Sequence, residues 1–434
     1  MFKAPRGTKD ILPVEQGYWR WVTEKASEIC QLHGYQRIDT PVFEDAGLFL
    51  HSVGEETDIV EKQMYTFDDR GGDKITLRPE GTAPVCRAYI EHGLHNLPQP
   101  VRLFYFGPIF RYERPQAGRF RQHQQLGCEA IGAADATLDA EIIDMAWTLY
   151  ASLGLKNLTL QLNSIGCRTC RREYLQRLKG YYLSHEESLC RDCKSRLSRN
   201  PLRLLDCKNP NCHELVKGAP RITEYICADC QAHFGVLKDC LATLQIPYEV
   251  NPYLVRGLDY YTRTVFEIQP VDVGGQSTIG GGGRYDNLIE ILDGKPTPAV
   301  GFATGLERII LNLQKQGLEP PTTSGAKVYV AHIGAEARKE AVKLSAQLRQ
   351  AGIAATLAVD DRSLKAQLKQ ANALGFSHAV IIGEDEVASG TRTVRIMESG
   401  GQTQLSEAGT VDFLRNENLE RSQKSAEVSR GGAA

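Results

Sequence analysis

Residues 110–129 read FRYERPQAGRFRQHQQLGCE and hold Arg111, Arg114, Arg119 and Arg121 among Gln116, Gln122, His123, Gln124 and Gln125. Guanidinium groups at this density can surround a polyphosphate, because the planar fork binds oxyanions bidentately and keeps its charge. An FR pair closing an apolar run, a loop with Pro115 and Gly118, and a return run ending at Glu129 predict a β-hairpin that presents these groups from its loop. A solvated basic loop would have the same composition. Upstream, TLRPEGTAPVCR (76–87) sets Glu80 and Thr82 on either side of Gly81. A carboxylate and a hydroxyl two residues apart, on a turn that glycine leaves open, can both accept from one ammonium group. Downstream, LVRGLDYYTRTVFEI (254–268) joins Arg256 and Asp259 to the pair Tyr260–Tyr261 ahead of an alternating strand. Last come GGGGRYDNL (280–288) and AVGFATGLERIIL (299–311), where Gly280 to Gly283 let the backbone approach a ligand closely and Arg308 offers one more cation.

Nine of the twelve cysteines lie between 167 and 240, eight of them as the pairs Cys167–Cys170, Cys190–Cys193, Cys207–Cys212 and Cys227–Cys230. CxxC(x19)CxxC has the spacing of a tetrahedral zinc site, and Cx4C(x14)CxxC could make a second, while the pairing across sites stays open at this level. A reducing cytoplasm disfavours disulfides. Any metal held here is structural, since full cysteine coordination leaves no position for substrate. Cys30, Cys86 and Cys128 read as buried small side chains.

The elements that must position these groups fall into three textures. Tyr18, Val22, Ala26 and Ile29 recur at helical spacing, predicting a helix from Val14 to His33 that Gly34 stops. The run YQRIDTPVFED predicts a short strand that Pro41 confines to an edge or end. Strand-like runs then recur at TLRP, VRLFYFGPIF, EAIGA and TVFEIQ without regular helical crossovers, which favours a mainly antiparallel sheet. Residues 156–250 change to short helices punctuated by cysteines and read as an insertion, and an apolar helix is expected over roughly 301–316. The segment GLEPPTTSGA (317–326) reads as a linker. From 327 to 420, strands and helices alternate (KVYVAHI, EARKEAVKLSAQLRQAG, IAATLAV, RSLKAQLKQANALG, SHAVIIG), as in a small α/β domain with a largely parallel sheet. Arg362, Lys365 and Lys369 fall on one face of its second helix, and the polar residues 421–434 read as a disordered tail. The whole is α+β: an antiparallel-sheet core over 1–155 and 251–318, a helical Cys-rich insertion over 156–250, and a C-terminal α/β domain.

Composition excludes more than it identifies. The 434 residues carry a net charge of −2, with no apolar run of membrane-spanning length and no signal-peptide layout in MFKAPRGTKDILP, so a cytoplasmic protein without membrane partners is expected. Residues 156–255 hold 15 Lys/Arg against 10 Asp/Glu. That excess fits a surface facing RNA phosphates and equally fits ordinary surface composition.

Five of these elements also carry a resemblance. The RxERPQxGRxRQxxQLGCE hairpin resembles motif 2 of class II aminoacyl-tRNA synthetases in the form found in histidyl-tRNA synthetases, and the LVRGLDYYTRTVFEI stretch is similar to their histidine-specific loop and strand. RPEGT is similar to the family's amino-group element, GGGGRYDNL with GLER resembles motif 3, and DTPVFED around Pro41 is similar to motif 1. The resemblance implies a class II catalytic core with an anticodon-binding domain at 327–420. It implies a histidine–tRNA ligase that takes L-histidine, ATP with Mg²⁺ and tRNA(His), and works as a homodimer built through motif 1. By the same resemblance, Glu80 and Thr82, flanking Gly81, bind the α-amino group of histidine, and Gln125 and Glu129 line the amino-acid pocket. Arg111 holds the α-phosphate and the histidine carboxylate, and Arg256 meets the α-phosphate from the opposite side. Tyr260 and Tyr261 enclose the imidazole with Tyr285 near it, Arg308 stacks on adenine and reaches the γ-phosphate, and Arg119 joins the ATP set. The family often carries His just before the pocket glutamine, where this chain has Gln124 and sets His123 one position earlier. A non-catalytic regulatory subunit of ATP phosphoribosyltransferase shares the core but typically lacks the C-terminal domain and the ATP-binding arginines, both present here.

Overall fold

The computed structural model describes residues 2–54, 57–113, 118–271, 278–321, 326–359 and 362–431, with residues 422–431 described by backbone alone. The chain divides into two compact units, Met1–Glu319 and Pro320–Ala434.

The first unit opens on α1 (Gln16–Leu32), which buries Trp19, Val22, Ala26, Ile29 and Cys30 along one stripe and stops at Gly34, whose φ is +77°. The expected strand over 35–45 is two, β1 (Gln36–Arg37) and β2 (Phe43–Asp45), because Pro41 between them has no N–H for a ladder. Then follow α2 (Ala46–Val53), β3 (Tyr65–Asp68), β4 (Lys74–Leu77), α3 (Thr82–Glu91), β5 (Val101–Phe110), β6 (Gln122–Ile131), α4 (Ala136–Ser152) and β7 (Leu158–Ser164). The Cys-rich segment contributes α5 (Arg168–Leu183), α6 (Arg191–Arg199), α7 (Pro210–Val216) and α8 (Ala228–Thr243). The chain returns through β8 (Tyr248–Val250), β9 (Thr262–Pro270), β10 (Gly280–Arg284), α9 (Leu288–Ile291), β11 (Ala299–Gly305) and α10 (Leu306–Lys315).

Eight strands form one sheet in the order β1-β5-β6-β11-β10-β9-β7-β8, antiparallel throughout except where β1 meets β5 and β7 meets β8. The period of two sorts side chains to its faces. On β6, Leu126, Cys128 and Ala130 join the core under α1, α4 and α10, while Gln125, Gly127 and Glu129 face the other way. Each fully buried Leu or Phe of that core contributes about 1.5–3 kcal/mol. The opposite face packs Tyr105, Tyr260, Val265 and Tyr285 with the Cys-rich helices. A separate three-stranded sheet, β2-β4-β3, lies outside this one.

Two expected boundaries are corrected. The insertion at 156–250 is narrower, because β7 and β8 are strands of the main sheet and Phe234, Leu237 and Leu241 of α8 belong to its core. The apolar helix expected over 301–316 begins only at Leu306, because AVGFATG is buried strand β11, pairing with β6 and β10 on its two sides. A short apolar run does not by itself distinguish buried strand from buried helix.

The second unit holds β12 (Lys327–His332), α11 (Ala335–Gln350), β13 (Ala354–Leu357), α12 (Leu364–Ala373), β14 (His378–Ile382), α13 (Glu384–Ser389), β15 (Thr391–Ile396), β16 (Gln402–Ser406) and α14 (Glu407–Gly431). Its sheet runs β13-β12-β14-β15-β16, with the first three strands parallel and the last two antiparallel. The sheet expected to be largely parallel is parallel over β13, β12 and β14, and β15 and β16 extend it antiparallel. The tail expected to be disordered continues α14 through Gly431, with no proline or glycine between Gly409 and Gly431 to stop it; residues 432–434 lie outside the described ones.

Candidate active site

The hairpin expected from residues 101–131 is β5 paired with β6, in register from Val101–Ile131 to Phe110–Gln122. Its far end, the start of α3, the loop before β9, and strands β10 and β11 enclose a cleft of about 800 Å³. Glu80, Thr82, Arg111, Arg119, Gln125, Glu129, Arg256, Tyr260, Tyr261, Tyr285 and Arg308 all line it, and Gly81 sits between two of them at the N-cap of α3. Arg114 and Gln116 lie outside the described residues.

At the floor, Glu80 accepts from the amides of Thr82 (2.7 Å) and Ala83 (2.8 Å), satisfying free donors at the start of α3. Thr82 Oγ1 donates to Glu129 (2.8 Å), the Tyr285 hydroxyl donates to the other oxygen of Glu129 (2.5 Å), and the Tyr260 hydroxyl lies 3.4 Å from Glu80. Tyr260 packs between Tyr261 and Tyr285, with ring centroids at 4.8 Å and 5.7 Å. Burial pushes Glu129 up to about 8, against the lowering effect of its two hydroxyl donors. Glu80 is raised by burial too, but its backbone amides hold it back. Two buried carboxyls facing one small space are a receptor for a cationic group, which offsets the desolvation that raises both.

The cations occupy the other end. Arg111 Nε donates to the Pro79 carbonyl (2.7 Å), and Arg308 is held by the carbonyls of Gly118 (3.2 Å) and Thr278 (2.5 Å). Arg256 pairs closely with Glu267 and lies 5.9 Å from the Tyr261 ring centroid. Arg119 pairs with Glu113 at 3.5 Å. His123 is enclosed beside Arg111 and Arg308; burial first and then these two charges press it down to about 3, so it stands as a neutral imidazole. A strip of guanidinium groups beginning next to a carboxylate pocket suits a ligand with an ammonium at one end and phosphates at the other.

Three supports carry no motif of their own. Tyr105 donates to Gln125 Oε1 (3.2 Å), and its ring fills the space left by Gly81 and Gly127. Glu307 receives the Gln124 amide (2.9 Å and 3.1 Å), tying β6 to α10, and burial pushes it up to about 7. Gly301 leaves room for the pocket carboxylate: a Cβ there would stand 1.9 Å from Glu129 Oε2 and 2.7 Å from the Cys128 carbonyl. Gly301→Ala is therefore expected to move Glu129 and to cut kcat/KM for the amino acid about 10²-fold, with the far-UV circular dichroism of the wild type retained.

The cysteines group differently from their spacing. Cys167, Cys170, Cys227 and Cys230 lie together, and Cys190, Cys193, Cys207 and Cys212 form a second group. The first and last pairs meet because the chain leaves β7 and returns through α8 to neighbouring strands, which folds the middle pairs onto each other. Cys190 and Cys207 also line the cleft.

Comparison with known proteins agrees with this geometry. The sequence profile described as Histidyl-tRNA synthetase matches residues 7–169 and 213–309, and the one described as Anticodon binding domain matches 327–417. A histidine–tRNA ligase of Dehalococcoides mccartyi is 58% identical over 405 residues, covering 93% of this chain and 97% of its own. The histidine–tRNA ligase of Pelotomaculum thermopropionicum is 52% identical over 419 residues, covering 96% and 99%. The crystal structure of apo S. aureus histidyl-tRNA synthetase superposes with a TM-score of 0.81 at 38% identity, covering 96% of this chain and 100% of that one. The carboxylate pocket, the arginine strip beside it and the profile matched across both lobes of the core agree on one conclusion: the chain belongs to the histidyl-tRNA synthetase family of class II aminoacyl-tRNA ligases.

Proposed function

We propose that this cleft is where the chain performs both steps of the histidine–tRNA ligase reaction, with the roles of its side chains set by their charge and position. The juxtaposition of the buried Glu80–Thr82–Glu129 group with Arg111, Arg256 and Arg308 carries the proposal. The histidine ammonium sits among Glu80, Thr82 and Glu129, and its imidazole lies against Tyr260, Tyr261 and Tyr285, where polar partners left unpaired by other side chains discriminate against them. Its carboxylate attacks the α-phosphorus of ATP in line. Arg111 and Arg256 offset the charge that grows on the pentavalent phosphorus, pyrophosphate leaves along Arg308 and Arg119, and histidyl-adenylate remains. The terminal ribose hydroxyl of tRNA(His) then attacks the acyl carbonyl and AMP departs. No side-chain nucleophile is needed, because positioning and charge supply the rate. ATP enters as its Mg²⁺ complex, the metal neutralising the β- and γ-phosphates. Histidine-dependent exchange of pyrophosphate into ATP is the test; a well-folded protein without exchange overturns the proposal, and that result would point instead to a regulatory subunit of the same fold.

The proposal includes a homodimer. The outward face of β2-β4-β3 carries Phe43, Tyr65, Phe67, Ile75 and Leu77, with Phe43 and Phe67 about half exposed, while Thr76 on the other face is buried. An apolar sheet face of this kind is what a permanent interface covers. Phe43→Glu combined with Phe67→Glu is expected to shift the sedimenting species from twice the chain mass to once.

The second unit is read as the tRNA anticodon contact. Lys365 and Lys369 are exposed on α12, whereas Arg362 precedes the helix, whose N-cap is Ser363; the expected three-residue helix face is corrected to two residues and a flanking one. No described helix is long and apolar enough to cross a membrane. Cytoplasmic residence belongs to the same proposal, because the reaction draws on the pools of ATP and tRNA.

A further inference from the structure

The Cys-rich segment contains two short helices in which cysteine supplies half of the buried side chains. Helices α6 and α7 span 9 and 7 residues, and each buries one cysteine and one aliphatic side chain: Cys193 with Leu197, Cys212 with Val216. Isolated helices of that length are marginal in water, so something other than propensity must fasten them. At the two places where the helices converge there are sulfurs. In one group Cys167 Sγ lies 3.6 Å from Cys170 and 3.9 Å from Cys227, and Cys170 Sγ lies 3.8 Å from Cys230. In the other, Cys190 and Cys207 are 3.9 Å apart, and within each group all four sulfurs lie within 4.8 Å of one another.

These separations have a chemical meaning. A disulfide requires about 2.05 Å. Four sulfurs bound at about 2.3 Å to the centre of a regular tetrahedron are about 3.8 Å apart. The backbone is arranged for thiolates as well: Cys167, Cys190 and Cys227 are the N-cap residues of α5, α6 and α8, where free amides favour negative charge. The Cys167 amide donates to Cys170 Sγ and the Cys190 amide donates to Cys212 Sγ, each at 3.2 Å. Cys193, Cys212 and Cys230 are at most 1% exposed. Buried thiolates at this density require a cation at their centre.

We propose that the insertion holds two structural zinc ions in nested order, an outer one on Cys167, Cys170, Cys227 and Cys230 and an inner one on Cys190, Cys193, Cys207 and Cys212. The outer centre clamps the root of the insertion, where the chain leaves β7 and enters α8. The inner centre fixes the distal helices. From them Arg196 reaches Asp58 at 2.6 Å, Arg199 reaches Glu61 at 2.9 Å, and Asn200 reaches Asp259 at 2.6 Å, all on segments bordering the cleft. Arg203 and the inner ligands Cys190 and Cys207 are part of the cleft wall itself. The inner metal thereby secures one wall of the ligase site; this consequence rests on the reading of that cleft given above, whereas the two centres do not.

Metal content of the purified full-length protein tests the proposal, with zinc expected at two equivalents per chain. Replacement by Co²⁺ is expected to give the strong thiolate-to-metal absorption of a tetrahedral tetrathiolate site. The pairing is tested by two double variants. Cys170→Ser with Cys230→Ser removes ligands from the outer centre only and is expected to leave one equivalent. Cys170→Ser with Cys193→Ser strikes both centres and is expected to leave none. Pairing by order along the chain requires the reverse result, which would overturn the nesting. A wild-type protein without zinc and without the cobalt–thiolate absorption overturns both centres, and one equivalent in the wild type overturns one of them. The wild-type measurements decide whether both centres exist even where a variant fails to fold. A zinc-loaded protein that lacks pyrophosphate exchange would sink the reading of the cleft and leave the metal centres standing.

Discussion

Arg256→Gln is expected to lower kcat for histidine-dependent pyrophosphate exchange about 10²–10³-fold, while KM for ATP changes far less. Removing one preorganised donor from a site where charge develops typically has that effect, equivalent to about 3–4 kcal/mol. Arg256 is placed for it: its guanidinium is held by Glu267 and laid against the sheet at Gly281, where a Cβ would stand 3.0 Å from its Nη1. A side chain fixed this way loses little freedom when the phosphate arrives. Arg256→Lys keeps the charge but loses the fork, and should recover only part of the rate. If either variant raised KM for ATP with kcat unchanged, Arg256 would be a ground-state binding group and its proposed role would be wrong.

What was legible in the sequence was local. The β5–β6 hairpin follows from alternation and a Pro/Gly loop, and the same period of two puts Gln125 and Glu129 on the face opposite Leu126 and Cys128. The motif residues of four distant segments meet in one cleft because each segment is itself a strand end or a helix start. Groups that work through shape rather than charge were not legible. Tyr105 sits in the space left by two glycines distant in sequence, Gly81 and Gly127, and nothing in its own neighbourhood marks it. The nesting of the cysteines depends on where the chain returns, which spacing does not encode. The root of the insertion was misplaced for a related reason: LTLQLNS becomes a sheet strand through its partners β8 and β9, which lie about ninety to a hundred residues later.

Glu129→Gln separates function from stability at a single position. Its folded-state pKa, pushed up to about 8 by burial, lies above the ordinary 4.5, so the folded chain binds a proton there that the unfolded chain has released. A group raised in this way supports the fold fully below pH 4.5 and loses that support as pH climbs through 8. The amide has no proton to lose. The variant and the wild type should therefore melt nearly together near pH 5 and diverge progressively from there to pH 8, with the variant more stable by on the order of 4 kcal/mol near pH 8.5. Thermal melts across that range check it, and parallel melting curves would show that Glu129 does not carry its proton into the neutral range. Activity should move the other way. In the arrangement proposed above, the bound ammonium of histidine requires the ionised carboxylate, and loss of one partner of a buried charged pair costs about 2–5 kcal/mol, so histidine activation should fall about 30-fold or more. In the wild type, binding of histidine near pH 7 should release a proton from Glu129, visible as a dependence of the calorimetric binding enthalpy on the buffer's ionisation enthalpy. Glu129→Gln should abolish that dependence, apart from what the ligand's own imidazole contributes, because the carboxyl proposed to receive the substrate is the one that burial keeps protonated in its absence.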